Sequence, residues 1–311
     1  MPFIWLLFMP FLAWALDFKV ATYNVENLFD LAHDGHEYEE YIPNNKHHWN
    51  EQNFQKKITN IARVIKDLDA DIIALEEIEN ENILKKLNLA LGDKAYPYNF
   101  FPHKKERSSI ESALLSRFPI TSKESLMIKD QARGIHRVSV KVEQKTLVLY
   151  LNHWPSGKEK VKERMEYATA LNGLIKKHNG DEYIILGDLN APYKIEKDDW
   201  GMSLVNVLKA GDKGENHYNL WYELAERERY SHVFGKKKGT LDHILIPKVL
   251  SDLKGIDYKL SSFSVFQKPY MLDEKGAPLR WQITDKGRGE HLGIGYSDHL
   301  PISAIFHTLS F

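Results

Sequence analysis

Acidic, amide and histidine side chains recur at the ends of short apolar runs in this sequence. Asn24 follows residues 18–23, Glu77 follows 72–76, His153 closes 147–152, and Asp188 and Asn190 follow 183–186. Asp242 instead opens a run, in Leu241-Asp242-His243 before Ile244-Leu245-Ile246, and Ser297-Asp298-His299 stands before Leu300-Pro301. Open α/β sheets gather their ligand sites at strand ends, so polar residues there carry more weight than acids on a helix face. Singly, each has a plain structural explanation: Asn24 caps a turn, Asp188 bonds its own backbone after Gly187, and Glu77 is a solvated acid beside Glu76 and Glu79. Those explanations do not account for the whole set. Together the residues supply what metal-assisted hydrolysis needs: hard oxygen ligands for Mg²⁺, amide donors to hold a phosphate, and a histidine near an aspartate to handle protons. The chain has no cysteine, so disulfides, thiolate nucleophiles and zinc–cysteine sites drop out.

Elements must carry these groups to one place. Residues 18–24 alternate and are β-rich, which predicts a first strand, and Phe54, Ile58, Ile61, Ile65 and Leu68 at helical spacing predict a helix over about 50–68. Ile72-Ile73-Ala74-Leu75 reads as a short buried strand. A second helix over about 80–91 turns Ile83, Leu84 and Leu87 inward and stops at Gly92, where helices favour glycine. Further strands are predicted at 112–116, 138–142, 147–152, 183–186, 241–246 and 302–306, with a helix at 161–177. Loop composition marks 193–199, 211–217 and 287–295. Strands throughout, with helices between only some of them, fit a layered α/β domain with antiparallel pairs better than a purely parallel sheet.

With 311 residues, 43% hydrophobic and 27% charged, the composition is globular and excludes a disordered chain. A net charge of -1 provides no global positive field for a polyanion, so nucleic-acid affinity must come from local patches or a metal. Residues 1–16 are uncharged, and their apolar run ends in Ala13-Trp14-Ala15, an A-x-A cleavage pattern. This predicts a signal peptide over residues 1–15, one domain over 16–311, and a periplasmic or secreted mature protein. The run is shorter than the ~20 apolar residues of a membrane span, so no stable membrane insertion is expected after cleavage.

Thr22-Tyr23-Asn24, Leu75-Glu76-Glu77 at the end of 71–77, Asn152-His153-Trp154-Pro155-Ser156, Gly187-Asp188-Leu189-Asn190, Leu241-Asp242-His243 and Ser297-Asp298-His299-Leu300-Pro301 occur in the order of one known superfamily. The chain resembles the endonuclease/exonuclease/phosphatase superfamily from about Phe18 to Phe306, and the histidine at 153 resembles its deoxyribonuclease-like branch. The resemblance implies a four-layer α/β sandwich, two mixed β-sheets packed face to face with helices outside, and a Mg²⁺-dependent site at the rim, with Mn²⁺ or Ca²⁺ as alternatives. It implies Glu77 as the principal metal ligand with Asn24 beside it and Asp298 close by. Asp188 is expected to orient or deprotonate the attacking water, Asn190 to hold the scissile phosphate, and His299, paired with Asp242, to face that phosphate. His153 is the expected acid for the leaving oxygen, and Arg133 the expected phosphate-binding arginine, with Arg137 as competitor. Arg164 is a second candidate for a phosphate contact, though near Glu163 and Glu166 on a helix it reads at least equally as solvated or salt-bridged.

The acidic motif departs from the family's usual leucine-glutamine-glutamate, and strand alternation predicts that only one of Glu76 and Glu77 enters the site. The implied activity is that of an exported nuclease acting on DNA or RNA. One alternative is a lipid or inositol phosphate substrate, with loops at Trp154, Trp200 or Trp221 dipping into a membrane, although Trp221 between Leu220 and Tyr222 reads rather as core; another is an inactive binding protein on the same fold. Lys104-Lys105 and Lys236-Lys237-Lys238 become phosphate-backbone contacts if they flank the site. The sequence names no protein partner.

Overall fold

In a computed structural model of the chain, residues 16–103, 108–129 and 131–309 are described; the signal-peptide expectation and Lys104-Lys105 lie outside them. The chain runs β1 (Asp17–Leu28), α1 (Glu51–Leu68), β2 (Ile72–Ile78), α2 (Glu81–Ala90), β3 (Tyr98–Phe100), β4 (Glu111–Ser116), β5 (Ile120–Met127), β6 (Gly134–Val142) and β7 (Lys145–His153). It continues through α3 (Val161–Lys177), β8 (Tyr183–Asp188), β9 (Ala210–Gly211), β10 (His217–Asn219), β11 (His232–Phe234), β12 (Lys237–Gly239), β13 (Asp242–Pro247), β14 (Ile256–Tyr258), β15 (Ser264–Val265) and β16 (Ile302–Thr308). The helix starts are set by Asn50 and Asn80, whose side chains accept from the amides of Asn53 and Ile83.

Two seven-stranded sheets form, one ordered β14-β16-β1-β2-β4-β3 with β15 on β16, the other β5-β6-β7-β8-β13-β10-β9. Both are mixed: β1–β2 and β7–β8 are parallel, while β16, β4, β6 and β13 join antiparallel. Alternation explains the layers. Val20, Ile72 and Ala74 face Val138, Leu149, Ile184 and Ile244 between the sheets. Ala21, Tyr23, Ile73 and Leu75 point the other way, onto Ile58, Ile61 and Ile65 of α1 and Leu84 of α2. Val148, Tyr150 and Ile185 pack outward on Tyr167 and Leu171 of α3. Because each central strand is buried on both faces, it reads as a continuous apolar run. The four-layer sandwich follows, and no described helix is long and apolar enough to cross a membrane.

The same topology collects one rim of both sheets. Parallel β7 and β8 put His153 beside Asp188, and antiparallel β13 sets Asp242 opposite Asp188. In the other sheet β1 and β2 end together, and β16, antiparallel to β1 with Thr22 opposite Ile302, begins just after His299. A strand end and a neighbouring antiparallel strand start therefore supply the same edge.

Candidate active site

The first sheet breaks regularity at this rim. Register shifts between Asn24 and Leu28 on β1 and between Leu75 and Ile78 on β2, and Glu26, Asn27 and Glu77 take φ of 54°, 58° and 67°. Left-handed backbone at non-glycine residues costs about 1–3 kcal/mol each and persists only where the surroundings enforce it. Here Asn27 N–H donates to Glu77 Oε2 at 2.8 Å and Glu26 N–H to Asn24 Oδ1 at 2.9 Å. The bulge turns Glu77 into the cleft, while Glu76 stays on the inter-sheet face, fully buried, accepting from Thr22 Oγ1 at 2.8 Å. Of the two acids only Glu77 lines the cleft, in keeping with the alternation argument, while Glu76 lies behind it between the sheets.

Every expected site residue meets there. Asn24 Nδ2 bridges the sheets, donating to Glu77 Oε1 at 3.0 Å and to Asp188 Oδ2 at 3.1 Å. His153 Nε2 lies 3.7 Å from Glu77 Oε1 and 3.8 Å from Asp188 Oδ2. His299 Nδ1 is 2.7 Å from Asp242 Oδ2, and its Nε2 is 3.9 Å from both Asp188 Oδ2 and Asp298 Oδ1. Ser231 Oγ donates to Asp242 Oδ2 at 2.5 Å. Asn190 N–H donates to Asp188 Oδ1 and its side-chain amide to Trp154 O, each at 2.9 Å. Glu77, Arg133, His153, Asp188, Asn190, Asp298 and His299 line a cleft of about 700 Å³; Asn24 and Asp242 are buried beside it.

Burial and mutual charge set the protonation pattern. Burial pushes Asp188 up to about 7, with His299 opposing and Asp242 adding. Burial, then Asp298, raises Glu77; burial, then Asp242, raises Glu76 well above the carboxylate range, favouring the protonated acid. His299 is driven well above its ordinary value because Asp242, Asp188 and Asp298 overcome its burial. His153 is driven well below by burial and by Arg133 and His299, so one imidazole is charged and the other neutral. Against burial, His299, Arg280 and His232 keep Asp298 low. The buried atoms His153 Nδ1, Asp242 Oδ1 and Glu76 Oε2 have no hydrogen-bond partner among the described residues. Unpaired buried polar atoms mark a site built for water, ion or substrate.

Arg133 reaches the cleft with its guanidinium steadied by His153 O and Trp154 O at 3.0 and 3.1 Å. Arg137 pairs instead with Asp181 at 2.5 Å and does not line the cleft. Arg164 is neither solvated nor salt-bridged: it is buried and donates to the carbonyls of Pro155, Gly157 and Lys158 at 2.9, 2.6 and 3.2 Å. It ties down the loop after His153. Trp154 and Trp221 are fully buried and present nothing to a membrane, while Trp200 lines the cleft and donates to Asn190 O. Sequence reading missed Glu26 and Arg280. Glu26 accepts from Arg280 at 3.0 and 2.6 Å and from Trp281 N–H at 2.8 Å, and Arg280 stands 3.6 Å from Asp298 on the cleft wall. Isolated residues 254 positions apart leave no local pattern to find.

The family described as Endonuclease/Exonuclease/phosphatase matches residues 19–308. The chain belongs to it. Members of this family are divalent-metal-dependent phosphoric ester hydrolases. No curated protein matches the chain by sequence. By structure, this family member is similar to an endonuclease/exonuclease/phosphatase family protein from Bacteroides thetaiotaomicron, at 16% identity and TM-score 0.60 over 95% of this chain and 99% of that one. It is similar to D. rerio TDP2 complexed with single-strand DNA product, at 16% and 0.59 over 94% and 99%. Beta toxin from Staphylococcus aureus follows at 17% and 0.57 over 92% and 99%. At these identities the likeness is one of fold.

Proposed function

We propose that the chain is an exported nuclease that hydrolyses phosphodiester bonds of DNA or RNA with a bound divalent cation, Mg²⁺ first among candidates. The observation that carries this reading is the pairing, in one cleft, of an acidic floor with a charged His299 and the Arg133 guanidinium. Glu77, Asp188 and Asp298 line the cleft and offer it carboxylate oxygens, the donors a hard divalent cation prefers; the ligand atoms that come within 4.8 Å of one another there are those of His232, Asp298 and His299 and of Asp188, Asp242 and His299. Asn24 faces Glu77 and Asp188 through its nitrogen, so ligation by its oxygen takes a half-turn of the carboxamide. When bound, such a cation polarises a phosphoryl oxygen and lowers the cost of charge in the transition state.

The chain's own groups divide the remaining work. Asp188, with its proton affinity raised toward neutrality and held in place by the Asn190 amide, is fitted to accept a proton from the attacking water. His299, kept charged by Asp242, stabilises negative charge growing on the phosphate. Asn190 Nδ2 donates one hydrogen to Trp154 O and has its second available for the same phosphate. His153 is neutral and is fitted to donate a ring N–H to the leaving oxygen rather than to carry a full charge there. Arg133, Lys158, Lys237, Lys238 and Arg280 line the same cleft, which supports a polyanionic substrate despite the net charge of the whole chain. Burial of Trp154 and Trp221 weighs against the lipid reading. The uncharged leader ending in Ala13-Trp14-Ala15 supports export.

The test is hydrolysis of plasmid DNA, RNA and a phospholipid panel by residues 16–311, with and without Mg²⁺, beside Asp188→Ala and His299→Ala. Metal-dependent cleavage of nucleic acid that both substitutions abolish is expected. Hydrolysis of lipid alone overturns the nuclease reading, and no hydrolysis at all leaves a binding protein.

A further inference from the structure

The strands β11 and β12 form a two-stranded hairpin outside both main sheets, with His232 opposite Gly239, Val233 opposite Lys238 and Phe234 opposite Lys237. A lone hairpin is marginal in water and takes its position from whatever holds its root. This root is bonded to the catalytic pair. Ser231 binds Asp242 through its hydroxyl, Leu300 N–H donates to Ser231 O at 2.7 Å, and His232 bridges to His299. The far end carries Phe234, which is 77% exposed, and no ring packs on it among the described residues. Lys236 and Lys237 are also exposed and make no ion pair among the described residues. Yet Phe234, Lys237 and Lys238 line the same cleft as Asp188 and His299.

An apolar ring left bare beside a phosphate-handling site, between lysines, matches one kind of ligand: a flat aromatic group joined to phosphates. The lysines beside the ring on the same cleft wall favour a ligand whose rings are joined to phosphates over a bilayer surface. We propose that Phe234 is a stacking platform for an unpaired nucleobase beside the scissile phosphate, with Lys237 on a neighbouring phosphate, so that the cleft takes single-stranded nucleic acid. This rests on the nuclease reading above. The preference for single strands follows because base faces are covered by their neighbours in a duplex and free only when unstacked.

The experiment is a binding cycle read by fluorescence anisotropy in EDTA. The probes are a labelled twelve-residue oligothymidylate and the same backbone with abasic residues in place of the nucleotides, against wild type, Phe234→Ala, Phe234→Trp and Lys237→Gln. Phe234→Ala is expected to weaken the base-bearing strand by about 5- to 150-fold, the span covered by stacking of one base, and to leave the abasic strand nearly unchanged. Phe234→Trp restores binding, which a folding defect does not permit. Lys237→Gln weakens both strands alike and lowers the salt dependence by about 0.7 on a log–log plot. Equal losses on both strands, or none, with wild-type cleavage of nucleic acid intact, overturn the stacking role and leave the nuclease reading standing. If wild type neither binds nor cleaves any strand, and Phe234→Ala instead abolishes attachment to phosphatidylcholine vesicles, both readings fall.

Discussion

Replacing Asp242 by asparagine tests the electrostatic core of the site. Asp242 is fully buried, its Oδ2 stands 2.7 Å from His299 Nδ1, and the asparagine amide oxygen can still accept from that nitrogen, so the substitution removes charge and little else. At an effective dielectric of ~20, two unit charges at that distance attract by about 6 kcal/mol, an upper bound because Asp242 also sheds its desolvation cost. The part lost when a charged hydrogen-bond partner becomes neutral is about 1.5–3 kcal/mol. At 1.36 kcal/mol per factor of ten, the proton affinity of His299 should fall about 10- to 150-fold. The readouts are an NMR titration of His299 without metal and kcat/KM for phosphodiester hydrolysis from pH 5 to 9. Near pH 5 both proteins keep a charged imidazole and their rates converge. As pH rises, only wild type keeps the charge, and the deficit should grow toward the same factor of about 10- to 150-fold by which the proton affinity falls. Stability has the opposite trend. A histidine whose affinity is raised on folding stabilises fully below its ordinary value near 6.5 and loses that contribution as pH climbs through the raised one, so the variant's stability deficit is greatest in acid. An unchanged titration, or a rate deficit independent of pH, refutes the reasoning.

Glu76→Gln should keep activity, because the buried acid favours its protonated form and an amide has the same shape and donor capacity; since raised acids lose stability as pH rises above about 4.5, the melting temperature of the variant relative to wild type in EDTA should climb between pH 5 and 8. Arg164→Ala leaves the carbonyls of Pro155, Gly157 and Lys158 without their donor and should cost about 2–4 kcal/mol in urea unfolding, with kcat falling more than KM rises as the loop after His153 loosens. Mn²⁺ or Mg²⁺ at a hundred times its Kd should stabilise the protein by about 2.7 kcal/mol, read as a shift of roughly 4 °C in Tm, and Glu77→Gln should abolish the shift.

Much of the molecule was legible along the chain. Helix α1 falls where apolar spacing puts it and α3 over its expected residues, the central strands β2, β7 and β8 extend the predicted runs by a residue or a few, and β13 is shifted from its run by one. Short edge strands such as β3, β9 and β15 were not legible, because two or three residues bear no period and exist only through a partner. Arg164 shows the opposite failure. Its acidic neighbours read as a solvated helix face, but the face is decided by the loop of residues 155–158 packed upon it.

The candidate residues that the cleft brings together, Glu26 and Arg280 apart, were legible in the sequence alone, since strand ends, residue chemistry and motif order are local and each is written in a few consecutive letters. Their assembly was not. The bulge that aims Glu77, the contact of Glu26 with Arg280, the charge carried by His299 but denied to His153, and the projection of Phe234 into the cleft all arise from groups far apart in the chain. Protonation and aim depend on distance and burial, and only tertiary packing sets those.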